Sequence, residues 1–172
     1  MTTLYYTASS LDGFIADPDH SLDWLVTRDI DSSGPMGYDT FIGRVGALAM
    51  GASTYQWLLD HSDAWPYEIP TWVFTHRSFD PPGGDVRFTS ADVADVHAEM
   101  TAAAAGQDVW LVGGGDLVGQ FAAAGLVDEL WVQYAPLTLG AGAPLLPHRV
   151  ELRLEELARN GDFACARYSF VR

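Results

Sequence analysis

At 172 residues and 48% hydrophobic, the chain carries enough apolar material for one compact domain, taken as residues 1–172. Twenty-three acidic residues stand against nine basic ones, for a formal net charge of -14, which argues against nucleic acid or an anionic membrane as a partner. All nine basic residues are arginine, so Schiff-base chemistry and a Walker-type phosphate lysine are excluded, and any bound phosphate must be held by arginine, histidine or backbone amides.

Residues 2–8 read as a first strand. The stretch that follows, SLDGFIADPDHSLDWL, is rich in Asp, Gly, Pro and Ser and reads as a structured loop long enough to be functional. Gly34 and Pro35 are expected to open a helix that runs to about residue 45. ALAM at 47–50 is a short buried strand ending at Gly51. Ser53 or Thr54 is expected to cap the next helix, which places Tyr55, Leu58 and Leu59 on one face.

TWVFT at 71–75 is the next strand, and PPGGD at 81–85 turns the chain into a further short one, VRF. The helix at 91–105 starts with Asp92 and Asp95 near its positive end, buries Val93, Val96 and Met100, and stops at Gly106. DVWLV runs into three glycines at 113–115, and the helix after them places Leu117, Phe121 and Ala124 on one face and ends at Gly125. ELWVQY at 129–134 is another strand. After a Gly- and Pro-rich connection, residues 150–158 and 162–171 form a hairpin around Asn160–Gly161.

Early strands joined through helices imply parallel pairing, so the expectation is an α/β fold with a mostly parallel sheet and an antiparallel C-terminal hairpin at one edge. Two strand-to-helix junctions, LAMGASTYQWLL and WLVGGGDLVGQF, then fall at the carboxyl ends of strands, where open α/β sheets bind ligands. Glycine there lets a phosphate approach the backbone, and the first turn of the following helix offers unpaired N–H groups and partial positive charge. Thr75, His76 and Arg77, at the end of another strand, are further candidates for an anionic group. By themselves the glycines are equally compatible with tight turns that bind nothing.

Other chemistries fit poorly. After Gly113 and Gly115 the third glycine falls at 119, one place late for the dinucleotide fingerprint of a Rossmann domain. His97 and Glu99 have the spacing of a zinc deaminase without its cysteine pair, GASTY lacks the second glycine of a nucleophile elbow, and the remaining histidines make no metal cluster. Cys165 stands alone in an alternating segment and reads as a small core residue. The N-terminus lacks the basic region and apolar run of a secretory signal, and no apolar stretch is of membrane-spanning length, so a cytoplasmic protein is expected.

Taken in order, YYTASSLDGFIADPDHSLDWL, MGASTYQWL, WVFTHR and VGGGDLVGQF resemble the first strand and mobile loop, the adenosine-phosphate helix, the 2′-phosphate strand and the pyrophosphate turn of the dihydrofolate reductase fold. The resemblance covers essentially the whole chain and is closer to the reductase domain of bifunctional riboflavin-biosynthesis deaminase-reductases. It implies a three-layer α/β/α oxidoreductase that uses NADPH to deliver a hydride to a small heterocyclic or carbonyl substrate. It further implies that Ala8 and Ile15 flank the nicotinamide, that Gly51, Ser53 and Thr54 hold phosphate, and that Thr75, His76 and Arg77 surround the adenosine ribose. Gly113, Gly114, Gly115, Asp116 and Leu117 would carry the pyrophosphate. One position departs from the pattern: Ala52 stands where the family often has an arginine for the 2′-phosphate, leaving Arg77 as the guanidinium that can pair with it.

Asp12 and Asp39 are the candidate proton donors, the first alternatively a turn residue bonded to its own backbone and the second alternatively a solvated helix position. Trp24 is either a lid over a substrate ring or an anchor for its loop. The fold also implies a homodimer, and no metal site is expected. A non-catalytic nucleotide-binding or dimeric interaction domain is the competing reading.

Overall fold

The computed structural model describes residues 1–172. Its first strand, β1 (Thr3–Ser10), lies at the centre of an eight-stranded sheet because its residues alternate between two apolar faces. Leu4 and Tyr6 belong to one buried cluster and Tyr5 to the other. The chain then forms β2 (Phe14–Ala16), a single turn α1 (Asp23–Val26), a short α2 (Tyr38–Ile42), β3 (Val45–Gly51) and α3 (Ala52–His61). It continues through β4 (Thr71–Phe74), β5 (Val86–Thr89), α4 (Val93–Ala103), β6 (Asp108–Gly113), α5 (Gly115–Ala123) and β7 (Glu129–Ala135). The small strand β8 (Ala143–Pro144) and the hairpin β9 (Leu152–Asn160) and β10 (Phe163–Phe170) complete it.

The strand order is β5-β4-β3-β6-β1-β7-β10-β9. Every pairing from β5 to β7 is parallel, and only β10 runs antiparallel to its neighbours β7 and β9. The expected mostly parallel sheet with an antiparallel edge hairpin is therefore present. Helix α3, with α2, covers the face that holds Leu4, Tyr6, Leu48, Met50, Val73 and Trp110. Helices α4 and α5 cover the other, built on Tyr5, Ala49, Trp72 and Leu111. Three layers result, because a sheet apolar on both faces needs a helix on each.

Three expectations are corrected here. The helix read from Gly34 to about residue 45 shrinks to Tyr38–Ile42: Met36 takes a positive φ of 53°, and Gly37 is extended and lies against the Ser32 carbonyl, where any side chain would clash. Helix α3 is capped by Gly51, with no side-chain cap, so Ser53 and Thr54 lie inside its first turn. The hairpin turns on Gly161 and Asp162, since Asn160 still pairs with Phe163 across the ladder. The long N-terminal loop is structured as expected: β2 pairs with β8, and the backbone N–H of Leu145 donates to the Gly13 carbonyl at 2.8 Å.

Candidate functional site

A cleft of about 750 Å³ opens across the carboxyl ends of β1, β3, β4 and β6. Helices α3 and α5 both begin at its wall. Each starts after a glycine in extended conformation, Gly51 and Gly114, and neither first turn has a side-chain cap. Helix α4, which follows the cleft-lining residues Thr89, Ser90 and Ala91, is by contrast capped by Asp92, which accepts from the Ala94 N–H at 2.8 Å. Uncapped first turns leave amide N–H groups without intrahelical partners, and at α3 and α5 they face a cavity large enough for a ligand. A Cβ built on Gly114 would meet nothing within 4 Å, so this stretch of backbone is open to approach. At Gly115 a Cβ would collide with the carbonyls of Pro144 and Leu145; glycine here lets the β8 segment close over the start of α5.

The cleft brings together most of the residues expected to hold a cofactor. Ala8 and Ile15 line it from β1 and β2, Gly51, Ser53 and Thr54 from the start of α3, and Thr75 and His76 from the end of β4. Gly114, Gly115, Asp116 and Leu117 line it from α5. Gly113, with φ of 144°, sits just beneath the wall, 3.7 Å from the Thr54 Oγ1 when a Cβ is built on it. Asp116 does not cap α5: its carboxylate accepts from Gln120 Nε2 at 3.0 Å and faces His148 Nε2 at 3.4 Å. Arg77 is exposed beside the cleft, its backbone N–H bonded to Thr75 Oγ1 at 2.9 Å and its guanidinium 5.2 Å from the Phe79 ring, with no carboxylate partner.

The residues expected to meet a substrate fare differently. Asp12 does not line the cleft. Its carboxylate accepts from Ser10 Oγ at 2.7 Å and from the backbone N–H groups of Leu139 at 3.0 Å and Gly140 at 2.7 Å, which tie the β1–β2 turn to the segment before β8. Those three hydrogen bonds, led by Ser10, hold its pKa below the ordinary carboxylate value, so it is ionised at neutral pH and has no proton to give. Asp39 is exposed, accepts from Ser32 Oγ at 2.6 Å and also lies outside the cleft. Trp24 is an anchor: its indole N–H donates to the Ser21 carbonyl at 3.1 Å, and its ring packs on the Ala135, Phe163 and Cys165 cluster.

What lines the cleft in their place is aromatic. Tyr6, Tyr38, Tyr67 and Trp110 all reach it, with Trp57, Leu22 and Leu25 beside them. Tyr38 and Tyr67 each meet Trp110 edge-on, at centroid distances of 6.1 and 5.7 Å. Burial pushes the Tyr6 pKa up to about 12 and raises those of Tyr38 and Tyr67, so all three phenols stay protonated at neutral pH. Of the residues lining the cleft, Asp116 alone is a carboxylate. The sequence reading singled out none of them: Tyr6 lay unmarked within the first strand, Tyr67 sits in an irregular connection, and Tyr38 was one position from the residue chosen.

The RibD C-terminal domain family model matches residues 56–161, from the middle of α3 to the turn of the last hairpin. The chain belongs to this family. As a RibD C-terminal domain it is similar along most of its length to the uncharacterized protein YwjB of Bacillus subtilis, 32% identical over 164 residues that cover 93% of this chain and 92% of that one. Its fold superposes on the crystal structure of a protein assigned to riboflavin biosynthesis from Shewanella sp. PV-4, with a TM-score of 0.84, 27% identity and 100% of both chains covered. It also matches dihydrofolate reductase from Enterococcus faecalis, solved with NADP(H), at a TM-score of 0.62 and 15% identity, over 99% of this chain and 97% of that one. The expected family and the dihydrofolate reductase-like fold are both found. No helix of this RibD C-terminal domain is long and apolar enough to cross a membrane.

Proposed function

We propose that this RibD C-terminal domain is a reductase that binds NADPH along the cleft and delivers a hydride to a small heterocyclic or carbonyl compound. One observation carries the reading: two helices, α3 and α5, open uncapped on one cavity, with Gly51 and Ala52, and Gly114 and Gly115, in its wall, whereas the first turn of α4 is closed by a side-chain cap. Two anion sites on one cleft suit a ligand with separated phosphates. The residues present fit such a group. The first-turn amides after Gly114 would take the pyrophosphate, those after Gly51 with Thr54 Oγ1 a second phosphate, and Thr75, His76 and Arg77 would surround a ribose and its 2′-phosphate. Bound in this way, the reduced nicotinamide supplies the hydride.

The chain's own residues do the rest. Ala8 and Ile15 give the cofactor ring an apolar bed, and the clip made by Asp12 holds the β1–β2 turn that carries Ile15. The aromatic walls exclude water from the acceptor and favour a flat ring. Without lysine, and with no arginine lining the cleft, phosphate recognition rests on backbone amides, on the side chains of Thr54, Thr75 and His76, and on Arg77 at the rim.

The test is a titration of the purified protein with NADPH and, separately, NADH, following quenching of its tryptophans and energy transfer to the dihydronicotinamide. Saturable binding in the micromolar range, roughly -8 kcal/mol, is expected for NADPH. No binding of either dinucleotide up to about a millimolar, roughly -4 kcal/mol, overturns the reading.

A further inference from the structure

Asp116 stands in the first turn of α5, whose amides would take the pyrophosphate, and it is the one carboxylate in the cleft wall. A carboxylate there competes with the ligand for the positive end of the helix and repels it. Both of its oxygens are engaged: one accepts from Gln120 Nε2 at 3.0 Å, and the other lies 3.4 Å from His148 Nε2. His148 in turn is lodged in a gap in the helix. Gly119 is buried in the interior of α5, where glycine is less stable than alanine, yet a Cβ built on it would collide with three ring atoms of His148. The imidazole therefore lies on bare helix backbone, three residues beyond Asp116 and on the same face. It is carried there by the segment after β8, whose Pro144 and Pro147 also line the cleft. Asp116 is the charged group within ion-pair distance of His148; the adjacent Arg149 pairs instead with Glu151 at 3.4 Å.

We propose that His148 is a positioning residue of the dinucleotide site, which offsets the charge of Asp116 and links binding to the uptake of a proton; this rests on the reductase reading. Histidine changes its charge between about pH 5 and pH 8. A neutral imidazole leaves Asp116 to oppose the pyrophosphate. An imidazolium neutralises the carboxylate and sets a cation beside the start of α5. The bound pyrophosphate favours the imidazolium in return, so the complex holds more protons than the free protein, and affinity rises as pH falls. Gly119, Asp116 and His148 form one unit on one helix face: the glycine admits the ring, and the ring answers the acid.

The experiment measures NADP⁺ binding, by tryptophan quenching, from about pH 8 to about pH 5.5 for the wild type and three variants, with folding checked by circular dichroism. The 2′-phosphate and His76, which lines the far end of the cleft, titrate alike in every sample, so each result is read as a ratio of dissociation constants to the wild type. His148→Gln keeps a neutral donor beside Asp116. It should bind as the wild type does at the alkaline end and about fivefold more weakly at the acid end, the low range of coupling for a pair exposed to solvent. Gly119→Ala keeps both titrating groups but expels the ring from its notch, and should show the same acid-end loss. Asp116→Asn should bind about threefold more tightly than the wild type at the alkaline end, with the gain fading in acid, whereas a merely structural Asp116 would weaken binding when replaced. A ratio for His148→Gln that does not change with pH, or weaker binding by Asp116→Asn, overturns the inference and leaves the reductase reading in place. No NADP⁺ binding by the wild type at any pH overturns both.

Discussion

Asp12 shows how a carboxylate in a functional loop can be entirely occupied by structure. Its folded pKa is lowered, so the unfolded chain binds the proton more readily, and the stabilisation it gives is full above the ordinary carboxylate pKa and lost as pH falls through the depressed one. Asp12→Asn should therefore lower the thermal midpoint at neutral pH and flatten its fall on acidification below about pH 4, as read by calorimetry across a pH series. A catalytic acid would instead leave the midpoint alone. Arg77 offers the contrasting case, an exposed guanidinium beside the cleft with no carboxylate partner in a chain that has far more acidic than basic groups. Arg77→Ala should weaken NADPH binding about tenfold while leaving NADH unchanged, the loss expected for one charge-assisted contact to the 2′-phosphate. Equal loss for both dinucleotides would assign Arg77 to a general electrostatic role. Which of two adjacent side chains faces a cleft is set by helix register: Asp39 was legible as a helix residue, while the helix start that turns Tyr38 inward was not.

The three longer helices share a length class and differ in how they begin. Asp92→Ala removes the α4 cap and should cost about 1 kcal/mol of stability with NADPH affinity unchanged. Gly115→Ala pushes a methyl group into the carbonyls of Pro144 and Leu145; it should cost about 1–3 kcal/mol and also weaken dinucleotide binding, because β8 must lift from the start of α5. Denaturant melts and the NADPH titration, run on both variants, separate a cap that supports the fold from a junction that supports the site. The shortening of α2 has a cause far away in the chain. Asn160 accepts from the Asp31 N–H at 2.9 Å and donates to the carbonyls of Asp31 and Pro35 at 2.8 and 3.1 Å, which holds residues 31–37 in turns. Local pattern favoured a helix from Gly34, and a side chain from the last hairpin prevented it.

Across the molecule the outer strand β9 is exposed along most of its length, with Leu154 and Leu157 at 50% and 67% accessibility on an unpaired edge. Exposed apolar side chains on an edge strand favour pairing with another edge, and we propose that β9 supports a homodimer. Light scattering should report twice the 18.7 kDa chain mass, and Leu157→Glu should shift the protein toward monomer with NADPH binding retained. A monomeric wild type at micromolar concentration overturns this.

Features carried by short stretches of chain could be read from the amino-acid order: the first strand, the glycine junctions before α3 and α5, the acidic start of α4, and the near-complete set of residues at the helix starts. These depend on periods of two or 3.6 residues and on the backbone freedom of glycine, which are local properties. The position of β1 between β6 and β7, the clip made by Asp12, the anchoring of Trp24 and the packing of Tyr38 and Tyr67 on Trp110 each join residues distant in sequence. Long-range pairing and packing choose among orientations that local chemistry leaves equal in energy, so the folded chain alone reveals that phenols line the cleft and that both candidate acids stand outside it.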